Sequence, residues 1–313
     1  MQIKFGLIGH PIKHSMSPAL FKAGYDGRYP YELIEGSDFE ESYRIFLEEY
    51  YGINVTAPFK ELAFAKADLL SDECRIIRAT NLLVKTPEGV KAYNSDYLGV
   101  RMWLQEVTAG SVPGAGATKS TPPTSWAPPP AARGVARFSF APAPVIEPDK
   151  ITVLICGCGG AGKAAAVAAA SLGMNVILMN RDCSKAEAVA ASISQMAQAG
   201  PVQVRPMEEF RKYFKESDIL IYNIPTAIPG LEQLTDEDFM GRDSHCGKLQ
   251  TKNILEANYK DPSFNKILTD RALEANPEIR FTKGSTWLLY QAVTGYEIFT
   301  GEKPDLGQMS AVI

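Results

Sequence analysis

Gly157, Gly159 and Gly162 are the first residues whose spacing suggests chemistry. They follow a β-branched run, Ile151–Ile155, and precede an Ala-rich segment that ends at Gly173. In a strand–turn–helix setting, G-x-G-x-x-G suits a dinucleotide. The first glycine permits the sharp turn, and the second lets backbone N–H groups approach a pyrophosphate. The third lets the helix pack close to the strand, and the helix N-terminus adds positive potential. Gly160 and Ala161 complete the turn. The same stretch nearly spells an ATPase phosphate loop, from Gly157 to Gly162-Lys163. There, however, Ala164 replaces the hydroxyl that would hold Mg²⁺. A glycine turn with no ligand is the plain alternative, and the flanking strand and helix favour the dinucleotide.

A chain of 313 residues has room for two domains with separate cores. A net charge of −4 gives no basic face for nucleic acid. No apolar run approaches the roughly 20 residues of a membrane span, and the opening Met1-Gln-Ile-Lys-Phe leads into a strand rather than a signal peptide. The five cysteines, at 74, 156, 158, 183 and 246, show no paired framework, and His10, His14 and His245 have no zinc-ligand spacing. A soluble cytoplasmic protein with reduced thiols and no metal is expected. Nothing in the pattern fixes an oligomeric state.

The elements that would carry the chemistry alternate along the chain. Strands are expected at Ile3–Ile8, Tyr31–Ile34 and Ile53–Thr56. Ser17 is expected to cap a helix with Pro18 at its first position, and Asp38 to cap one through Phe39, Tyr43, Phe46 and Leu47. Pro58 stops the third strand ahead of a helix over Phe59–Ala67, and Pro87-Glu88-Gly89 marks a hairpin between Leu82–Val84 and Val90–Tyr93. Residues 109–149 hold nine of the 21 prolines and read as a disordered or polyproline-like insertion, with Trp126, Phe138 and Phe140 as its few aromatic residues. Beyond it, strands are expected at Asn175–Asn180, Val202–Arg205, Ile219–Asn223, Ile254–Ala257 and Ile279–Thr282. Ser184-Lys-Ala-Glu187 reads as a capping box, Ser263–Ala275 as helical, and Ser285–Thr300 as a last helix closed by Gly301. The fold class is α/β with two domains. Residues 1–107 form one domain, 108–149 the insertion, 150–283 a Rossmann-type dinucleotide domain, and 284–313 a helix that packs back on the first domain.

Gly9-His-Pro-Ile-Lys-His-Ser-Met-Ser-Pro18, Asn54-Val-Thr-Ala-Pro-Phe-Lys60, Ala79-Thr-Asn81, Asn94-Ser-Asp96 and Gln291 together resemble the shikimate dehydrogenase family. These separated motifs occur in the family's order, and the likeness covers nearly the whole chain outside 109–149. It implies NADPH-dependent reduction of 3-dehydroshikimate, with a substrate domain, a cofactor domain and the active site in the cleft. It gives Lys60 and Asp96 the catalytic role, Ser15, Ser17 and Thr56 the substrate carboxylate, and Asn81 and Gln291 the ring hydroxyls.

The residue types suit that chemistry. Negative charge develops on a ketone oxygen as hydride arrives, and Lys60 can answer it with a proton and a positive charge. Asp96 can orient that ammonium. Without the motif context, such a pair would read as a solvated salt bridge. Ser17 read alone is a helix cap and Asn81 a turn residue; the resemblance leaves His14 structural, because it gives the work at this spot to the serines. Where an NAD enzyme would carry an acid for the ribose hydroxyl, Asn180-Arg181 with Lys185 resembles the family's NADP pattern, because a guanidinium suits a 2′-phosphate. Asp182 departs from that pattern and puts a repelling carboxylate beside the phosphate. Asn223-Ile-Pro-Thr226, Glu256 ahead of Tyr259, and Trp287 depart from the family's usual residues elsewhere in the chain. Two alternatives stay open: an NAD-dependent quinate/shikimate dehydrogenase, and a non-catalytic binding module on the same fold.

Overall fold

A computed structural model describes residues 3–109, 151–241 and 249–313. The Pro-rich stretch expected to be an insertion over 108–149 falls outside these residues apart from Thr108, which ends a helix, and Ala109, as do His245 and Cys246. The described residues form two compact units. Residues 3–102 and 288–313 belong to the first, and 103–109 and 151–287 to the second.

In the first unit the alternation of short apolar runs with amphipathic segments gives β1 (Phe5–Gly9), α1 (Ser17–Gly24), β2 (Tyr31–Glu35), α2 (Phe39–Glu49), β3 (Gly52–Val55) and α3 (Lys60–Lys66). β4 (Leu69–Leu70), α4 (Asp72–Ile77), β5 (Leu82–Thr86), β6 (Gly89–Tyr93) and α5 (Ser95–Thr108) follow. The sheet runs β2-β1-β3-β5-β6-β4. β1 is parallel to β2 and β3, and the β5–β6 hairpin adds to β3 antiparallel. Asp38 caps α2 as expected, accepting from the Glu40 amide at 2.8 Å and the Glu41 amide at 3.3 Å. Phe39, Tyr43 and Phe46 on its inner face join Ile8, Ile53 and Val55 in one core. Burying such a side chain stabilises by about 1.5–3 kcal/mol. Leu47 does not join them: it is 42% exposed, one position round the helix from Phe46. Ser17 is not the cap of α1 either. Met16 holds that position, and the Ser15 hydroxyl accepts the Ser17 amide at 3.2 Å. The helix therefore starts one residue earlier than its sequence suggests.

The second unit contains β7 (Thr152–Cys156), α6 (Gly160–Ser171), β8 (Asn175–Met179), α7 (Cys183–Ile193), β9 (Val202–Arg205) and α8 (Phe210–Glu216). It continues through β10 (Ile219–Tyr222), α9 (Pro229–Glu232), α10 (Asp236–Met240), β11 (Lys252–Glu256), α11 (Lys266–Ala275) and β12 (Ile279–Lys283). All its strand pairs are parallel, in the order β12-β11-β10-β7-β8-β9. This is the doubly wound order, with its direction reversing between β7 and β10, where such sheets bind ligands. The expected helix at Ser263–Ala275 starts late. The Glu256 carboxylate takes the Ser263 and Phe264 amides at 2.6 and 2.8 Å, and Asn265 then caps α11. The capping box at Ser184 is replaced as well: Asp182 caps α7, accepting the Ser184 amide at 3.1 Å and its hydroxyl at 2.6 Å. Lys252, fully buried, donates to the Phe214 carbonyl at 2.5 Å and to the Ser217 carbonyl, so that it neutralises the C-terminal end of α8.

The last long helix is α12 (Gly284–Thr300), followed by α13 (Leu306–Ser310). From Leu288 onward these residues group with the first unit. Phe299 stacks on Phe5 with centroids 5.0 Å apart and lies over Gly52. The expectation of a C-terminal helix packing back on the first domain is met.

Candidate active site

In the first unit, the functional side chains gather where β1, β3 and β6 end and β5 begins. Lys60 opens α3 directly after the Pro58-Phe59 turn, and its carbonyl accepts the Thr80 amide at 3.1 Å. Asn94 starts α5 by accepting the Tyr97 amide at 3.0 Å and donating to the Ala79 carbonyl at 3.0 Å. This cap places Asp96 in the first turn, where the helix dipole favours a carboxylate. Lys60 Nζ then meets Asp96 Oδ2 at 2.5 Å, with the Asp96 side chain 6% exposed and that of Lys60 21%. The pair is held by two helix starts rather than by flexible chain. One face of the ammonium remains partly open, so the group can both carry charge and exchange a proton.

Asn81 grips the same helix start. Its Nδ2 donates to Ser95 Oγ at 3.0 Å, and its Oδ1 accepts the Ser95 amide at 2.7 Å. Gln291 comes to α5 because Gly99, one turn beyond Asp96, has no side chain; a Cβ there would lie 2.6 Å from the Gln291 amide nitrogen. Ser15 and Ser17 form a hydroxyl pair at 3.1 Å in the loop after β1, and Thr56 directly follows β3. The expected catalytic pair is therefore in contact; Ser15, Ser17, Thr56 and Asn81 lie on loops and a helix start at the same sheet edge, and Gln291 lies within α12 against Gly99. His14 is exposed.

Sequence reasoning left several participants unassigned. Tyr31 donates to Asn54 Oδ1 at 2.8 Å, and Tyr296 donates to the Ser17 carbonyl at 3.1 Å. The Tyr31 and Tyr296 phenols also meet each other and the Ser17 side chain, and burial pushes both above the ordinary tyrosine range. Asn54 had a detectable signal: it is a polar residue inside an otherwise apolar four-residue strand.

The second unit offers a different surface. The Gly157 amide donates to the Met179 carbonyl at 2.8 Å, and the Cys158 amide to Asn180 Oδ1 at 3.0 Å, so the turn is tied to the end of β8. Gly162 must be glycine, since a Cβ would collide with the Gly157 carbonyl, whereas the space beside Gly159 is open. Burial holds the Cys158 thiol up at about 11, so it carries no charge toward an anion. Arg181 and Lys185 are exposed beside the turn. Asp182, whose carboxylate accepts from Ser184, is pulled below the usual carboxylate range by that hydrogen bond and so stays charged while it caps α7. The Asn223 carboxamide lies beside the turn with Oδ1 and Nδ2 buried and unpartnered among the described residues. Buried amide groups are normally satisfied, so a missing partner with hydrogen-bonding edges fits here. Open space at Gly159, free amides at the start of α6, a cationic pair and an unmet carboxamide together suit a dinucleotide phosphate. Among the described residues no cluster of three metal-ligating side chains occurs, and no helix is long and apolar enough to cross a membrane.

Comparison with known proteins matches residues 7–83 to the model of the shikimate dehydrogenase substrate binding domain. Residues 140–233 match the C-terminal domain of alanine dehydrogenase/PNT. A shikimate dehydrogenase (NADP(+)) of Acinetobacter baumannii is 26% identical over 313 residues, covering 98% of both chains. Quinate dehydrogenase from Corynebacterium glutamicum, solved with NAD, superposes with a TM-score of 0.72 at 19% identity, covering 99% of this chain and 98% of its own. Shikimate 5-dehydrogenase from Thermus thermophilus, solved with NADP(H) and shikimate, gives 0.67 at 23% identity over 99% and 98%.

Proposed function

The chain belongs to the shikimate dehydrogenase family, and from that premise we propose that it is an NADPH-dependent oxidoreductase. Its reaction is the reversible reduction of 3-dehydroshikimate to shikimate in the route to aromatic amino acids. The observation that carries this reading is the 2.5 Å contact of Lys60 with the nearly buried Asp96 at a sheet edge rich in neutral hydrogen-bonding groups.

NADPH, when bound, supplies the hydride; the chain's own residues handle the proton and the orientation. Lys60 donates a proton to the ketone oxygen as that oxygen gains charge, and takes one back from the alcohol in the reverse direction. Asp96 keeps the ammonium aimed and balances its charge. Ser15, Ser17 and Thr56 hold the substrate carboxylate with hydroxyls, while Asn81 and Gln291 hold ring hydroxyls. The cofactor phosphates are held by Gly157, Gly159, Gly160, Ala161 and Gly162 together with the start of α6. Arg181 and Lys185 take the 2′-phosphate, and Asn180 holds the turn against them. Asn223 lies against the glycine turn itself, beside Gly157 and Gly162.

The four described cysteines are all free, which suits a reducing cytoplasmic compartment. Asp182 caps α7 yet stays an exposed carboxylate, so the NAD alternative is decided by the assay below.

The test is absorbance at 340 nm with shikimate and quinate, each with NADP⁺ and NAD⁺. Turnover should be greatest with shikimate and NADP⁺. No turnover in any of the four combinations would leave a binding module, and a preference for quinate with NAD⁺ would replace the proposal.

A further inference from the structure

A polar side chain in the middle of a buried strand has to be explained. β3 alternates, so Ile53 and Val55, 0% and 2% exposed, face the core, while Gly52 and Asn54 share the other face with Thr56 just beyond the strand end. On that face Phe299 covers Gly52. Asn54 lies next along, directly below Thr56, and both edges of its carboxamide are used. Its Oδ1 accepts the Tyr31 hydroxyl at 2.8 Å, and its Nδ2 donates to the Asn81 carbonyl at 3.3 Å.

These two partners lead in opposite directions. On one side Tyr31 packs on Tyr296 with ring centroids 6.0 Å apart, Tyr296 donates to the Ser17 carbonyl at 3.1 Å, and Ser17 is bonded to Ser15 at 3.1 Å. On the other side the Asn81 carbonyl also accepts the Val55 amide at 2.8 Å, and the Asn81 side chain clamps Ser95 at the start of α5, next to Asp96. One carboxamide thus stands between the serine pair, reached through the Tyr31 and Tyr296 side chains, and the Asn81–Ser95 clamp, reached through the Asn81 backbone carbonyl.

We infer that Asn54 is a positioning residue. It sets the separation between the hydroxyl pair at one end of the substrate site and the Asn81 clamp at the other, acting through Tyr31 and Asn81 without touching substrate. This rests on the proposed function, in which Ser15 and Ser17 hold the carboxylate and Asn81 a ring hydroxyl. A rigid ring anchored at both ends tolerates little error in that separation, because a misplacement of about 1 Å can be costly. The amide is the group the chain requires: Oδ1 must accept and Nδ2 must donate, and among side chains of this length only asparagine offers both.

Asn54→Ala, Tyr31→Phe and the double variant would be purified beside wild type. Shikimate oxidation by NADP⁺ would be followed at 340 nm, with NADP⁺ affinity measured by calorimetry. Each single change should raise KM for shikimate by about three- to tenfold, with kcat within about twofold and NADP⁺ affinity unchanged. The double variant should be no worse than the weaker-binding single variant by more than about twofold, because both changes break the same chain. Tyr31→Phe removes one oxygen atom and tests the link even if Asn54→Ala does not fold. A lowered melting temperature with unaltered KM in either variant would reduce Asn54 to a structural part. Full additivity in the double variant would break the chain into unrelated bonds. A wild type inert on shikimate would overturn the function and this inference together, whereas an active wild type with indifferent variants would overturn the inference alone.

Discussion

The two units prepare for their ligands in contrasting ways. The sheet edge of the first unit is built from side chains that fix one another: Asn94 holds the start of α5, Asn81 holds Ser95, and Asp96 holds Lys60. The glycine turn of the second unit is built from backbone, with Gly162 present because any side chain would strike the Gly157 carbonyl. A site made of side chains recognises one molecule and fails sharply when a group is removed. A site made of backbone amides grips a phosphate wherever it occurs, and selectivity is left to a few exposed residues such as Arg181.

That contrast can be broken at four points of decreasing effect. Lys60→Ala should lower kcat by at least about 10²-fold, the low end for losing a general acid, while substrate affinity measured by calorimetry changes far less. Near-normal turnover would remove Lys60 from the chemistry. Arg181→Ala should weaken NADP⁺ binding about ten- to a hundredfold, as charge-assisted hydrogen bonds contribute roughly 1.5–3 kcal/mol, and should leave NAD⁺ nearly unaffected. Equal losses for both dinucleotides would make Arg181 a support for the loop only. Glu256→Gln should destabilise by about 1–2 kcal/mol in denaturant unfolding, because the amide's NH₂ would face one of the two backbone N–H groups that the carboxylate now accepts. An unchanged midpoint would show that the loop ahead of α11 has another anchor. Asp182→Thr should strengthen NADP⁺ binding by about two- to threefold, since threonine also caps helices while an exposed, screened carboxylate beside the phosphate is removed. An unchanged affinity would show that the Asp182 charge does not reach the 2′-phosphate.

Local signals were legible wherever a residue's partners are its near neighbours in sequence. Asp38, the hairpin at Gly89 and the strand–glycine–helix turn all follow from contacts within a few residues. Helix starts slipped by one or two positions where two competent caps stand close together. Asp182 and Ser184 are interchangeable as caps and only the backbone decides between them, while at α1 Met16 takes the cap position ahead of Ser17. The helices α4 and α13, six and five residues long, are too short for a periodic pattern to emerge. The site itself divides in the same way. Lys60 and Asp96 were readable from their motifs, yet the Tyr31–Asn54 bond spans 23 residues and joins two strands, so no local rule points to it.

Lys252 has a use beyond neutralising α8. Its amine is sealed inside the second unit with both carbonyl partners satisfied, so an acylating reagent in solvent cannot reach it in the folded protein. Modification must wait for an opening event, and the free energy of that event sets the rate when reclosing is fast. Acylation at this residue, read by mass spectrometry, is therefore a built-in clock for the breathing of the second unit. Dinucleotide bound at the glycine turn should slow that clock in proportion to its occupancy.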